Sequence, residues 1–151
     1  MEKIRINKSS ASGIVQAPPS KSYSHRLLIA GLLSNKTSKI SNISMSNDII
    51  ATINCIKALG KNVYIENDSI TIEESHKELD NELYFDCLES GSTIRFFIPI
   101  ALLTNKKLIF TGSERLIERG IGVYEEIFKK QIKGHGFKGY LEAIDYLKEI
   151  L

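Results

Sequence analysis

Two serine-rich turns carry the side chains best suited to chemistry. The first reads PSKSYSHR, from Pro19 to Arg26, and places Lys21 and Ser22 at the start of a predicted helix. Unpaired backbone N–H groups and the helix dipole attract an anion to such a start, and a cation there is mildly unfavourable until an anion binds. Arg26 can hold a carboxylate or phosphate through two hydrogen bonds. Capping serines on a solvated helix start are the plainer alternative.

The second turn reads ESGSTIR, from Glu89 to Arg95. Gly91 allows a ligand to approach the backbone closely, and Ser92 offers a hydroxyl and an N–H group. An ordinary N-cap followed by a surface arginine would show the same pattern. Two such turns in one chain favour an anion site over two unrelated caps.

A third basic segment reads ERLIERGIG, from Glu114 to Gly122, between a predicted strand and a predicted helix. Ligand-binding loops are common at such junctions. Arg115 and Arg119 are therefore candidate anion clamps. The alternative is that both arginines pair with neighbouring glutamates at the surface.

Metal, redox and general acid–base chemistry have less support. The histidines and cysteines are scattered and show neither metal-ligand nor CxxC spacing, so we predict no metal site. Asp48 and Glu89 are candidate general acid–base groups. Each precedes a predicted helix, however, and helix capping is the favoured role for both.

The composition limits the classes of function. The 151 residues include 42% hydrophobic and 25% charged side chains, as in globular domains, and the formal charge is +2. So small a charge favours neither nucleic acid nor a membrane surface as a partner. The apolar runs are too short to span a bilayer, and the first residues lack the apolar stretch of a signal peptide. We therefore expect a cytoplasmic protein.

The elements that must position the three basic segments follow from hydrophobic periodicity and capping residues. Apolar stripes predict helices over 21–33, 49–59, 91–103 and 121–130. In the first of these we expect Leu27, Leu28, Ala30 and Leu32 to form the apolar face. Alternating patterns predict strands at 3–6, 14–17, 39–43, 62–66, 69–73, 83–85 and 107–110.

An internal repeat is visible in the sequence. GLLSNK, beginning at Gly31, matches ALLTNK, beginning at Ala101, which is an offset of 70 residues. The hairpin predicted at 62–73 should then recur near 132–143. The chain instead shows a cluster of glycines at 134–139 and a helical apolar spacing over 140–151. A degenerate repeat would account for this, but we favour a break, with an unmatched helical tail over 132–151.

At this point the motifs resemble those of a known family. APPSKSYSHR, at 17–26, resembles the opening signature of 5-enolpyruvylshikimate-3-phosphate (EPSP) synthases, close to P-G/P-S-K-S-x-S-x-R. SGSTIR, at 90–95, resembles their glycine loop. Arg115 and Arg119 resemble their later R-x-x-x-R-P stretch. The three motifs occur in the family's order and spacing, and the resemblance covers residues 1 to about 131.

The resemblance implies a fold. These synthases are α/β (α+β) proteins of two domains, each built from repeated βαβαββ units in an inside-out α/β barrel. Residues 1–17 would then form strands that belong to the partner domain and that lack their sheet here. Residues 18–131 would form a partial domain of two units, the second incomplete.

The resemblance also implies a reaction. The family transfers the enolpyruvyl group of phosphoenolpyruvate to shikimate 3-phosphate and releases phosphate, on the pathway to chorismate and the aromatic amino acids. It needs no metal and no organic cofactor, and glyphosate occupies its phosphoenolpyruvate site. By motif match, Lys21 is catalytic and touches both substrates, and Ser22 and Arg26 hold shikimate 3-phosphate. Gly91 lines the phosphoenolpyruvate site, and Arg119 clamps that substrate.

The same match implies that Ser92 and Arg95 shape the glycine loop. The chain departs from the family pattern at two nearby positions. Glu89 stands in place of an asparagine and Gly120 in place of a proline. The family's later substrate and proton-transfer motifs are absent, so we expect this chain alone to be an inactive fragment. A second polypeptide carrying the missing half would complete the site.

Two alternatives of the same ancestry differ in function. One is a catalytically silent domain that binds a phosphorylated ligand. The other is a transferase acting on UDP-N-acetylglucosamine, which the S-K-S-x-S-x-R signature disfavours.

Overall fold

The computed structural model describes residues 4–5, 7–127, 132–135 and 140–143. Helices and strands alternate along this part of the chain. In chain order, the elements are α1 Lys21–Leu33, β1 Ser38–Ile40, α2 Asn47–Ala58, β2 Asn62–Glu66, β3 Ser69–Glu73, β4 Glu82–Asp86, α3 Gly91–Leu102, β5 Lys107–Thr111, α4 Glu114–Glu118, α5 Gly122–Ile127, β6 Ile132–His135 and β7 Tyr140–Ala143.

Four of the helices begin directly after a serine. In each case the side-chain oxygen of the serine accepts a hydrogen bond from the backbone N–H three residues later, which satisfies one of the donors that a helix start leaves unpaired. The capping residues are Ser20, Ser46, Ser90 and Ser113. The capping serines considered for the first two turns are therefore present, at Ser20 and Ser90. Neither Asp48 nor Glu89 is a cap, so the capping role favoured for them is wrong.

The strands form two sheets. In the first sheet, with order β1-β3-β2, both pairings are antiparallel. The predicted bounds of the β2–β3 hairpin are confirmed, and Asn67 turns it with a φ of 54°. The second sheet has the order β4-β5-β7-β6, in which β4 and β5 are parallel and the other pairings are antiparallel.

The second sheet corrects the prediction of a broken repeat. Shifted by the same 70 residues, β2 and β3 fall on 132–136 and 139–143, where β6 and β7 lie. The backbone of β7 pairs with β5 on one side and β6 on the other, as β3 pairs with β1 and β2. These two ladders override the helical spacing of local side chains, so the helix predicted from residue 140 is wrong over 140–143. The rest of that tail lies outside the described residues.

The N-terminal segment differs from its prediction. Residues 4–5 and 14–17 form no strand, while residues 3 and 6 lie outside the described part of the chain. Ile4, Ile14 and Val15 are exposed. A strand exchanges hydrogen bonds with a neighbouring strand, and none of the strands in the described part of the chain pairs with this segment. That it belongs to a partner domain stays a prediction.

The hydrophobic core lies between the helices and the two sheets. Phe85 of β4 stacks on Phe110 of β5 at a centroid distance of 4.7 Å and meets Phe97 of α3. The predicted apolar face of α1 is only half right. Leu28 and Leu32 are buried, whereas Leu27 and Ala30 are exposed. Ser24, His25 and Gly31 take the remaining buried positions: His25 hydrogen-bonds Thr52, and Gly31 leaves room for the side chains of Ile72 and Ile40.

In the described part of the chain, every helix is too short or too polar to cross a membrane.

The hairpin offers a matched pair for testing the core. Ile70 of β3 and Ile65 of β2 are direct cross-strand partners, but Ile70 is fully buried and Ile65 is 47% exposed. Ile70→Ala should lower the free energy of unfolding by about 2–5 kcal/mol. Ile65→Ala should lower it by less than about 1 kcal/mol. Urea denaturation measures both, and equal losses would contradict the difference in burial between the two side chains.

Candidate functional site

The starts of several helices meet around one hollow. Its volume is about 670 Å³, and it receives residues from the first turns of α1 and α2, from the turn before α3 and from the turn before α4. The dipoles of α1, α2 and α3 therefore direct partial positive charge toward the same region. The lining residues are Lys21, Ser46, Asn47, Asp48, Asp86, Leu88, Glu89, Gly112 and Ser113.

Lys21 is paired with a carboxylate in this hollow. Its Nζ donates a hydrogen bond of 2.7 Å to Oδ2 of Asp48, in the first turn of α2. The pair is partly exposed, since 57% of the Lys21 side chain is accessible to solvent. The carboxylate offsets the unfavourable position of a cation at the start of α1. An anionic ligand could take over that role.

Arg26 and Ser22, one helical turn apart on α1, contact each other. Nη1 of Arg26 donates to the backbone oxygen of Ser22 at 2.8 Å and to its hydroxyl at 2.5 Å. The guanidinium group also lies over the ring of Phe96, 5.6 Å from its centroid. Phe96 follows Arg95 on α3, so Arg26 spans the two helices that carry the first two motifs.

Two guanidinium groups converge on Gly91. A methyl group at this position would lie 3.2 Å from Nη1 of Arg95 and 3.8 Å from Nη1 of Arg119. The missing side chain therefore leaves space between the backbone and both cations. The structure thus joins the second motif to the third.

The remaining predicted residues are exposed. Ser92 lies on the first turn of α3, and Arg115 lies on α4, one turn before Arg119. The structure brings Lys21 and Glu89 to one hollow, and Arg95 and Arg119 to Gly91. The individual substrate contacts of these residues stay predictions.

Sequence analysis overlooked a proline that lies in α3, one helical turn after Arg95. Pro99 lies within α3 and has no N–H to donate to the carbonyl oxygen of Arg95, four residues earlier. The hydroxyl of Tyr124, on α5, donates to that oxygen at 3.0 Å instead. The side chain of Tyr124 therefore ties α5 to the turn of α3 that carries Arg95.

A buried polar chain was also missed, because its members are far apart in sequence. Nδ1 of His25 lies 2.7 Å from the hydroxyl of Thr52, which lies 2.8 Å from the hydroxyl of Thr93. Burial lowers the pKa of His25. Asp48 opposes this effect, while the positive charges of Lys21 and Arg26 add to it.

Within the described ranges, no three histidine, cysteine, aspartate or glutamate side chains are grouped to hold a metal. The acidic residues of the hollow lie instead beside Lys21 and the helix starts.

Comparison with protein families identifies the class of this fold and site. The sequence model of EPSP synthase (3-phosphoshikimate 1-carboxyvinyltransferase) matches residues 6–130. The chain therefore belongs to the EPSP synthase family, a family of enolpyruvyl transferases.

Curated relatives carry the same name. A 3-phosphoshikimate 1-carboxyvinyltransferase of Clostridium perfringens is 43% identical over 132 residues, which cover 87% of this chain and 31% of the relative. One of Korarchaeum cryptofilum is 45% identical over 120 residues, covering 79% of this chain and 28% of the relative. The chain thus spans about a third of the length of these proteins.

Solved structures agree on the fold. An EPSP synthase of Acinetobacter baumannii superposes with a TM-score of 0.69 at 22% identity, over 85% of this chain and 30% of that one. The expected fold class, a truncated α/β stretch of the EPSP synthase fold, is confirmed.

The lowered pKa of His25 predicts how stability depends on pH. In the unfolded chain, His25 has its ordinary pKa of 6.5 and binds a proton below that pH. In the folded protein, the pKa of His25 is lower, so the proton binds only at a lower pH. Acid therefore favours the unfolded state, and the contribution of neutral His25 is lost as the pH falls through its folded pKa. His25→Asn does not titrate, so its thermal midpoint should fall less than that of the wild type between pH 7 and pH 5. Parallel curves for the two proteins would contradict this.

Proposed function

We propose that this chain supplies part of a 3-phosphoshikimate 1-carboxyvinyltransferase site and binds shikimate 3-phosphate and phosphoenolpyruvate side by side. The observation that carries the proposal is the placement of basic side chains at the serine-capped starts of α1 and α3. Both substrates are anions, and holding them together requires cations and N–H groups directed at one place. Membership of the family supplies the identity of the substrates.

The first half of the site would bind shikimate 3-phosphate. Lys21 would exchange its carboxylate partner, Asp48, for the ligand's phosphate at the start of α1. Arg26 already presents one Nη atom to the hydroxyl of Ser22, and both groups can turn to the same phosphate. A phosphate there would also accept hydrogen bonds from the N–H groups that the Ser20 cap leaves unpaired.

The second half would bind phosphoenolpyruvate. Arg95 and Arg119 flank the space above Gly91, where a carboxylate or phosphate can accept two parallel hydrogen bonds from a guanidinium group. The hydroxyl of Tyr124 steadies the helix turn beneath Arg95. Glu89 adds a negative charge at the edge of the hollow, which should weaken this half relative to an asparagine.

Turnover would require further residues. The chain spans 31% of the Clostridium perfringens relative, and general acid–base groups beyond this part would have to move the protons of the reaction. We therefore propose that this part binds ligands without converting them when it stands alone. A catalytically silent binding domain of the same ancestry is the second candidate. Release of phosphate from the two substrates, once the missing part is added, would exclude it.

We place this function in the cytoplasm. Cys55 and Cys87 are both buried and unoxidised, and contact with Cys87 together with burial raises the pKa of Cys55. Inert thiols of this kind suit a reducing compartment.

Calorimetric titration with shikimate 3-phosphate tests the proposal. Binding should weaken with salt, because the contacts are between charges. Lys21→Ala and Arg26→Ala should each weaken it by about tenfold or more, as expected for a lost charge-assisted hydrogen bond.

Lys36→Ala is the matched control, because it removes the same charge from the exposed turn beyond the other end of α1. An equal loss in this variant would reveal nonspecific attraction. No heat at millimolar ligand in a folded sample would overturn the proposal.

A further inference from the structure

Three helices are joined near their starts by a buried chain of hydrogen bonds. Nδ1 of His25, on α1, lies 2.7 Å from Oγ1 of Thr52, on α2. Oγ1 of Thr52 lies 2.8 Å from Oγ1 of Thr93, on α3, and Thr93 lies 2.7 Å from Oγ of Ser90. All four side chains are at least 95% buried.

The side chains in this buried chain of hydrogen bonds use enough of their donor and acceptor positions to fix the distances between them. Each threonine hydroxyl has one donor and two acceptor positions. The backbone oxygen of Asp48 lies 3.2 Å from the hydroxyl of Thr52 and 3.3 Å from that of Thr93, and so provides a shared acceptor. Apolar contacts tolerate sliding of helices, whereas a satisfied buried polar network specifies one arrangement.

The chain lies directly beneath the groups that face the hollow. His25 is one helical turn after Lys21, and Ser90 immediately precedes Gly91. Asp48 connects the hollow to the buried chain of hydrogen bonds. Its side chain binds Lys21, and its backbone oxygen accepts a hydrogen bond from that buried chain. Movement of α1 relative to α3 would therefore strain the chain and separate the two halves of the site.

We propose that His25, Thr52 and Thr93 are positioning residues, which hold the starts of α1 and α3 in register so that Lys21 and the Gly91 turn face the same bound ligands. This inference rests on the proposed function, since it assigns the residues a role in the same anion site. None of the three has to touch a ligand.

The chemistry of His25 agrees with this role. Burial lowers the pKa of His25 and so keeps its ring neutral near pH 7. The negative charge of Asp48 opposes this effect, and the positive charges of Lys21 and Arg26 add to it. A neutral imidazole ring can either donate a hydrogen bond to Thr52 or accept one from it. The buried chain of hydrogen bonds is therefore kept with either residue as the donor.

Removal of one hydroxyl tests the inference. Thr52→Val keeps the shape of the side chain but breaks the chain, and it should weaken binding of shikimate 3-phosphate by at least about threefold. Thr52→Ser restores the hydroxyl and should retain most of the wild-type affinity. Ile72→Val, in the core of the first sheet and far in sequence from these helix starts, controls for lost stability alone.

A double variant adds a readout that a general loss of stability would not give. His25→Leu and Thr93→Val each interrupt the same chain, so their combination should cost less affinity than the product of the separate losses. In the unliganded protein, Thr52→Val should speed amide hydrogen exchange at the starts of α1 and α3 relative to Thr52→Ser.

The outcomes separate the two proposals. If the wild type binds and Thr52→Val binds equally well, or Ile72→Val loses as much affinity, the positioning role is overturned while the proposed function stands. If the folded wild type binds no shikimate 3-phosphate, the proposed function fails and the positioning role fails with it.

Discussion

The unpaired N–H groups at helix starts are the constraint on which the rest of this structure depends. Each start must satisfy up to four such donors, and a serine cap satisfies only one directly. Ser20, Ser46 and Ser90 cap three helices, and one hollow is lined by the first residues of α1 and α2 and by the turn before α3. The remaining donors and the helix dipoles attract negative charge, which agrees with the three carboxylates, Asp48, Asp86 and Glu89, that line the hollow beside Lys21.

Sequence reasoning succeeded where the signal was local. Serine caps, the β2–β3 hairpin and the glycine at the start of α3 follow from adjacent residues. The 70-residue repeat also indicated a second hairpin, but the glycine cluster and the helical apolar spacing after it led us to favour a break, which was wrong. It failed where the structure depends on contacts with residues that are distant in sequence. The strand β7 forms because β5 and β6 lie on either side of it, and the N-terminal segment forms no strand because none of the described strands pairs with it.

The candidate site shows the same division. The motifs identified Lys21, Arg26 and Gly91, and the family assignment followed from them. Contacts between separate motifs could not be read from the sequence: 41 residues separate Thr52 from Thr93, and 29 separate Arg95 from Tyr124. Pro99 could have signalled an orphaned carbonyl oxygen in α3, but not which side chain would occupy it.

The contact between Lys21 and Asp48 has a consequence for selectivity. Because the ammonium group already has a carboxylate partner at 2.7 Å, an incoming molecule gains only the difference between its own attraction and that of Asp48. A neutral polyol would gain nothing from the exchange, and a single carboxylate would roughly match the partner it displaces. A phosphate ester with nearly two negative charges would outcompete it. In the proposed site, the internal carboxylate would therefore favour ligands that carry more negative charge than a single carboxylate.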